Sequence, residues 1–204
     1  MINNLSRLAI AGLAGLVLTT SCAPSVTLHH YILSSHAVRD HGSVQPDAFA
    51  RSIGLGPFTL PEIVDRPQLV LRTSEHRVVL TEAHRWAGPL KAEIARVLAD
   101  NLAHLLGNPL VLSYPQRGAE HADVRVSVDI QRFESILGKT ATIDAIWTIS
   151  RKNGALQTKR TYVQETLADE SYDALVAAHS RALMTVSQDI ASTIQVGGVA
   201  APLH

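Results

Sequence analysis

The chain has 204 residues, 46% of them hydrophobic, which is enough material for one domain with a substantial core. Its 18 basic and 18 acidic residues cancel to a formal net charge of +0, so no long-range field draws it to nucleic acid or to an anionic lipid surface. With one cysteine it holds no internal disulfide, and its composition is neither repetitive nor low-complexity.

Residues 1–21 read as a cleaved leader. Arg7 and the α-amino group charge its start, and Leu8 to Leu18 is an unbroken run of apolar residues and glycine, too short to cross a bilayer. The run ends in Leu18-Thr19-Thr20-Ser21-Cys22-Ala23, which resembles the bacterial lipobox, although Thr19 stands where leucine is usual. The alternative is an ordinary secretory signal in which Cys22 is incidental. Against it, the chain's only thiol falls where lipidation needs one. The expectation is therefore a lipid on Cys22, with residues 22–27 as a short spacer, 28–198 as one domain and 199–204 as a tail. Ala23 follows the cysteine in place of the aspartate of inner-membrane lipoproteins, which by resemblance implies the outer membrane.

In chain order, Thr27 to Leu33 predicts a first strand and 36–46 a polar loop. Ser52 to Phe58 and Gln68 to Arg72 predict two more, separated by Pro61 and Pro67, whose fixed backbone angles interrupt pairing. Arg77 to Thr81 is expected to pair back across the turn at 74–76. Pro89 to Leu106 carries apolar residues at three- and four-residue spacing, with Asn101 the polar exception; it predicts an amphipathic helix with Pro89 at its first position, stopped by Gly107. Leu110 to Leu112 follows as a short strand. Val124, Val126, Val128 and Ile130 alternate with polar residues, the pattern slips at Arg132-Phe133 as at a bulge, and Ala141 to Ile149 alternates again. Asn153-Gly154 signals a hairpin into Leu156 to Glu165. A second helix spans Tyr172 to Ile194, capped by Ser171 or Asp169 and ended by Gly197-Gly198. The sum is an α+β domain: a largely antiparallel or mixed sheet with two long helices packed on it.

Catalytic constellations are absent from this pattern. The 10 histidines show no compact ligand spacing; His29 and His30, adjacent in a strand, face opposite ways, and His104 and His179 sit in helices where packing or solvation explains them. No metal site is expected, and no cofactor beyond the lipid on Cys22. No Gly-x-Ser-x-Gly elbow occurs, Gly54-Leu55-Gly56 reads as a strand with a bend, and Asp65 and Asp144 are carboxylates without a partner for acid–base work. The chain is not expected to be an enzyme.

Two clusters remain. Asp65-Arg66-Pro67-Gln68 sets opposite charges beside a rigid proline, and Arg85-Trp86 brings a guanidinium and an indole to a helix start. On one reading Asp65 and Arg66 satisfy local backbone or each other while Trp86 closes the core. On the other, Asp65, Arg66, Arg85 and Trp86 meet a subunit or a partner, since Arg and Trp are enriched in interaction hot spots.

At these residues the chain resembles the auxiliary lipoproteins of ABC-type lipid transporters, the paraquat-inducible (PqiC-like) lipoproteins among them. The matching pieces, in order, are the lipobox, Tyr31-Ile32-Leu33, Gly56-Pro57 with Leu60-Pro61, Asp65-Arg66-Pro67-Gln68, and Arg85-Trp86-Ala87 with Pro89-Leu90. Leu98 to Gly107, Arg132-Phe133, Trp147 and Tyr172-Asp173-Ala174-Leu175 complete the set. Gly88 departs from it, an acidic residue being common there. The resemblance implies a docking role beside a periplasm-spanning MCE-type (mammalian cell entry) protein and its ABC transporter, at the outer membrane, in a ring of identical subunits. A general envelope-assembly lipoprotein and a lipid-tethered periplasmic hydrolase are the other readings.

Overall fold

The alternating segments become eight strands in a computed structural model, which describes residues 27–35, 52–107 and 110–196. In chain order they are β1 (His29–Tyr31), β2 (Ile53–Thr59), β3 (Gln68–Ser74) and β4 (Arg77–Trp86). Helix α1 (Leu90–Leu105), β5 (Val111–Ser113), a 3₁₀ turn (Ala119–His121), β6 (Val124–Ile136), β7 (Thr140–Arg151), β8 (Leu156–Thr166) and helix α2 (Tyr172–Val196) follow. The class is α+β, with the strands divided between two sheets. The smaller has the order β1-β4-β3, with β1 parallel and β3 antiparallel to β4. The larger has the order β5-β2-β6-β7-β8; β2 runs parallel to both neighbours, and β6, β7 and β8 form an antiparallel meander. Helix α1 lies against β2 and β5, and α2 against β7 and β8. No described helix is long and apolar enough to cross a membrane.

The meander follows from its sequence. Val124, Val126, Val128 and Ile130 point into the core, the pairing with β7 shifts between Ile130 and Arg132, and Phe133 turns inward again. The slip in alternation is thus a bulge, as expected. Ala141, Ile143, Ala145, Trp147 and Ile149 are all buried; the Trp147 indole donates to the Thr161 hydroxyl (3.0 Å), which donates to Asp189 (2.7 Å). At the β7–β8 turn Gly154 takes a φ of 83°, and the Asn153 side chain accepts from the Ala155 amide at 3.1 Å. Gly54 has a steric cause: a Cβ there would lie 2.0 Å from the Ala119 carbonyl oxygen, because the 3₁₀ turn rests on it.

Several boundaries move. The first strand shrinks to three residues, after which Leu33 is buried against the core. Strand β4 runs five residues past Thr81. Between Val70 and Gln68 the β3–β4 register shifts, and the Thr81 hydroxyl lies 2.9 Å from the Leu69 carbonyl and 2.7 Å from that of His84, fastening the kink. Periodicity is lost at the kink, and the last turnless residues are held by β1, a partner far away in sequence. Pro89 is the N-cap of α1 and Leu90 its first residue, since Pro89 has an extended ψ of 119°. Gly107 ends α1 with a φ of 59°. Asn101 lies in the apolar stripe because it crosses to the second helix, donating to Ser187 at 3.3 Å in a fully buried contact. Of the two proposed caps of α2, Ser171 is the one that acts: its Oγ accepts from the Ala174 amide (3.0 Å), while Asp169 accepts from the amide of Ser171, before the helix (2.7 Å). Gly197-Gly198 lies outside the described residues, as do Cys22 and the leader.

Candidate functional site

The loop from β2 to β3 folds back on itself at Pro61, whose carbonyl accepts from the amides of Val64 (3.0 Å) and Asp65 (3.2 Å), while the Arg66 amide donates to Val64 (2.9 Å). Pro67 has no N–H to donate, but its carbonyl accepts from the Trp86 amide at 2.7 Å. The next amide, of Ala87, donates to the Tyr31 carbonyl at 2.8 Å, so the end of β4 is clamped from both sides. This clamp brings the two sequence clusters together. Asp65, Arg66, Pro67, Trp86, Ala87, Gly88, Pro89 and Leu90 line one open cleft of ≈ 400 Å³. Its floor is apolar, with Trp86 and Leu90 buried and the Trp86 ring edge-on to Phe133 (6.1 Å, 72°).

Charge stands at the rim. Among the described residues no ion pair joins Asp65 to Arg66, and the buried Nε of Arg66 makes no hydrogen bond. The cleft thus sets charged side chains around an apolar floor. Arg85 is not part of it. One residue before Trp86 in a strand, it faces the other way and binds Glu82, through the backbone carbonyl (3.1 Å) and the carboxylate (3.3 Å). The sequence grouping of four therefore divides into three residues at the cleft and one outside it.

At Gly88 a Cβ would meet nothing within 4 Å. An acidic side chain there is sterically free and stands next to the α1 N-terminus, whose unpaired amides favour negative charge. Gly88→Asp is expected to raise stability by about 0.5 kcal/mol at low ionic strength, measured by urea unfolding and lost at high salt.

A second assembly was not legible in the sequence. His84 stacks on Tyr172 (3.6 Å, 8°) and on His29 (5.1 Å), and its Nδ1 lies 2.8 Å from the Tyr31 hydroxyl. Burial, and then the neighbouring His29, hold the His84 pKa below its ordinary value. The column ties β1, β4 and the start of α2 together. Its only sequence signal was that Tyr31 and Tyr172 both belong to the matching pieces. Beyond it, the Ser34 amide donates to Ser180 (3.1 Å) and Arg96 donates to the Leu33 carbonyl (2.6 Å), securing the segment that follows β1 to both helices.

Two buried titratable groups, His179 and Asp144, are accounted for structurally. His179 is wholly buried, stacked on Phe133 (4.0 Å, 7°) with Nε2 2.8 Å from the Ser135 hydroxyl. Asp144 is buried under a bidentate pair with Arg160 (2.7 and 2.5 Å), which holds its pKa down. Among the described residues no group of three or more His, Cys, Asp or Glu side chains is placed to hold a metal ion.

The model of one protein family, the ABC-type transport auxiliary lipoprotein component, matches residues 31–191. The chain belongs to this family. The match starts at Tyr31 and includes the cleft, the Tyr31, His84 and Tyr172 members of the column (His29 lies just before it) and most of α2. As a member, the chain is a non-catalytic, lipid-anchored periplasmic auxiliary component of an ABC-type transport system. Two crystal structures share the fold. One, of an uncharacterized protein, is 20% identical with a TM-score of 0.68, and the alignment covers 82% of this chain and 99% of that one. The other, a protein from Xanthomonas campestris, is 14% identical with a TM-score of 0.63, covering 86% and 97%. No curated protein matches the chain.

Proposed function

We propose that this auxiliary lipoprotein is held in the outer membrane by lipid on Cys22 and docks there with a periplasm-spanning MCE-type protein, as a PqiC-like component of a lipid transport system. The observation that carries the reading is the cleft itself: within the family domain, Asp65, Arg66 and Trp86 converge from two distant segments on an apolar floor open to solvent. An open cleft with an apolar floor and charged side chains around it suits capture of a protein segment. Arg85, on the other face of β4, belongs to a separate contact, between subunits of a homo-oligomeric ring.

Two acyl chains or more on Cys22 would anchor the chain durably, each buried CH₂ contributing about 0.8 kcal/mol. Cys22→Ser is expected to leave the precursor uncut by the lipoprotein peptidase and absent from outer-membrane fractions, with the domain still folded. Membrane fractionation and the mass of the mature N-terminus check this, and normal maturation of the Ser variant would refute it. Docking is tested by crosslinking in intact cells. Recovery of an MCE-type protein with the native chain and its loss with Arg66→Ala support the reading. Recovery of other envelope-assembly proteins alone would assign the chain a general assembly role.

A further inference from the structure

The β3–β4 hairpin stands out from the body as an arm. Residues 73–79 are all exposed. Val78 and Val79 point to opposite sides of their strand, yet they are 41% and 44% exposed, so neither side of the arm is covered. Ile63, 47% exposed, joins Val78 and Pro61 around a shallow cleft of ≈ 180 Å³ at the base of the arm, and Leu28, at 47%, stands open just before β1. Among the described residues no ion pair holds Arg77, next to the hairpin turn, while Arg72 is bound to Glu134 and to the Glu75 carbonyl.

The direction of the arm follows from the sheet. Arg85 is paired with both His30 and Gln68, so these three residues lie at one level across the strands. From that level β3 runs toward the hairpin turn, and β1, followed backwards, runs the same way toward Cys22. The six steps from Gln68 to Ser74 cover about 20 Å at the rise of a strand. The eight steps from His30 to Cys22 cover at most about 28 Å at full extension. A lipid on Cys22 therefore stands no more than about 8 Å beyond the tip of the arm. The polar layer of one bilayer leaflet is roughly 5–8 Å thick.

We propose that the β3–β4 hairpin is a membrane-contacting arm that seats Val78 and Val79 in the interfacial layer of the bilayer, with Arg77 beside the lipid phosphates. The inference rests on lipid attachment at Cys22. Geometry favours the bilayer as occupant: with the arm on the membrane side, a tether this short keeps it at the polar layer whether the domain stands upright or lies along the surface. Of the exposed residues, Val78 and Val79 suit that layer as apolar side chains with the Arg77 cation beside them, while the turn is polar, its Glu75 carboxylate 3.8 Å from the His76 ring.

The test uses the mature full chain. Cys22 is the only cysteine, so once it is lipidated Val78→Cys or Val79→Cys supplies the sole free thiol for a fluorophore. Labelled protein is reconstituted in phosphatidylethanolamine–phosphatidylglycerol vesicles carrying headgroup spin labels. Leu156→Cys is the control: it is 70% exposed and sits by Ser150, opposite Arg125, at the end of β6 away from the arm contact at Glu134. Both arm labels are expected to be quenched roughly twofold or more and the control to be unaffected. Lipidated, vesicle-bound protein with unquenched arm labels would overturn the proposal, as would crosslinks between arms of two copies without quenching, which assign the arm to a subunit contact. A mature N-terminus without lipid mass overturns the anchor at Cys22 and this inference with it, and it is read separately from the quenching.

Discussion

Trp86→Ala is expected to cost about 4 kcal/mol of stability and to lower the Tm by roughly 10 °C, because a large buried ring is replaced by a cavity that its neighbours fill only in part. Trp86 is 5% exposed, its ring meets the edge of Phe133, and its backbone amide is clamped to Pro67. Against a domain stability of about 5–15 kcal/mol, a loss of that size removes much of the folded state's margin. Arg66→Met separates the docking role from the packing role. The methionine keeps an apolar stem, and the Arg66 Nε makes no hydrogen bond that would be lost. Its Tm should stay within about 2 °C of the native value, while capture of the partner weakens. Thermal unfolding and co-purification, run on both variants, check the two halves. Equal loss of partner at unchanged Tm from Trp86→Ala would contradict the core role of the indole.

The fold should also lose stability in mild acid, well above the range where carboxylates titrate. Burial pushes the His179 pKa down from 6.5 to about 3, because its site offers the imidazolium no countercharge. The folded state keeps the ring neutral while the unfolded chain protonates it below pH 6.5. The stability from this group is thus complete above pH 6.5 and declines as pH falls toward 3. The slope is about 1.4 kcal/mol per pH unit, or roughly 2.7 kcal/mol by pH 4.5. His179→Leu removes the titration. It leaves the Ser135 hydroxyl without this partner, costing about 1–2 kcal/mol at pH 7.5, but it should flatten the profile between pH 6.5 and 4.5. His84, whose pKa is also lowered by burial and by His29, is controlled by His84→Gln. Asp123, held near 2 by its bonds to Lys152 and Ser52, does not contribute until lower pH. Urea unfolding at several pH values checks the prediction, and an unchanged slope in His179→Leu would refute it.

The strands that were plain in the sequence are those whose partners lie close by. Residues 124–166 pair with their immediate neighbours, so alternation, one bulge and an Asn-Gly turn sufficed to place β6, β7 and β8. Both helices were legible from spacing and caps. The end of β4 was not, because a kink at Thr81 breaks the alternation and the pairing beyond it is mostly with β1, more than fifty residues earlier. The parallel contacts of β2 with β5 and β6 and the division into two sheets were hidden for the same reason: they depend on crossovers that leave no local periodicity.

The candidate site divides in the same way. The sequence by itself determined that Asp65-Arg66-Pro67 and Arg85-Trp86 were unusual, that no catalytic or metal-binding spacing was present, and that the sole cysteine stood at a lipidation motif. Chemistry carried by neighbouring residues can be read from their order. Only the tertiary structure decided that Arg66 and Trp86 share one cleft while Arg85 turns away, that His84 stacks between His29 and Tyr172, and that His179 is sealed in the core. It also decided that the β3–β4 arm points the way β1 runs when followed toward its own start. Each of these depends on side-chain direction and on the meeting of segments far apart in the chain. Those are set by packing the whole core, and no local stretch of sequence contains them.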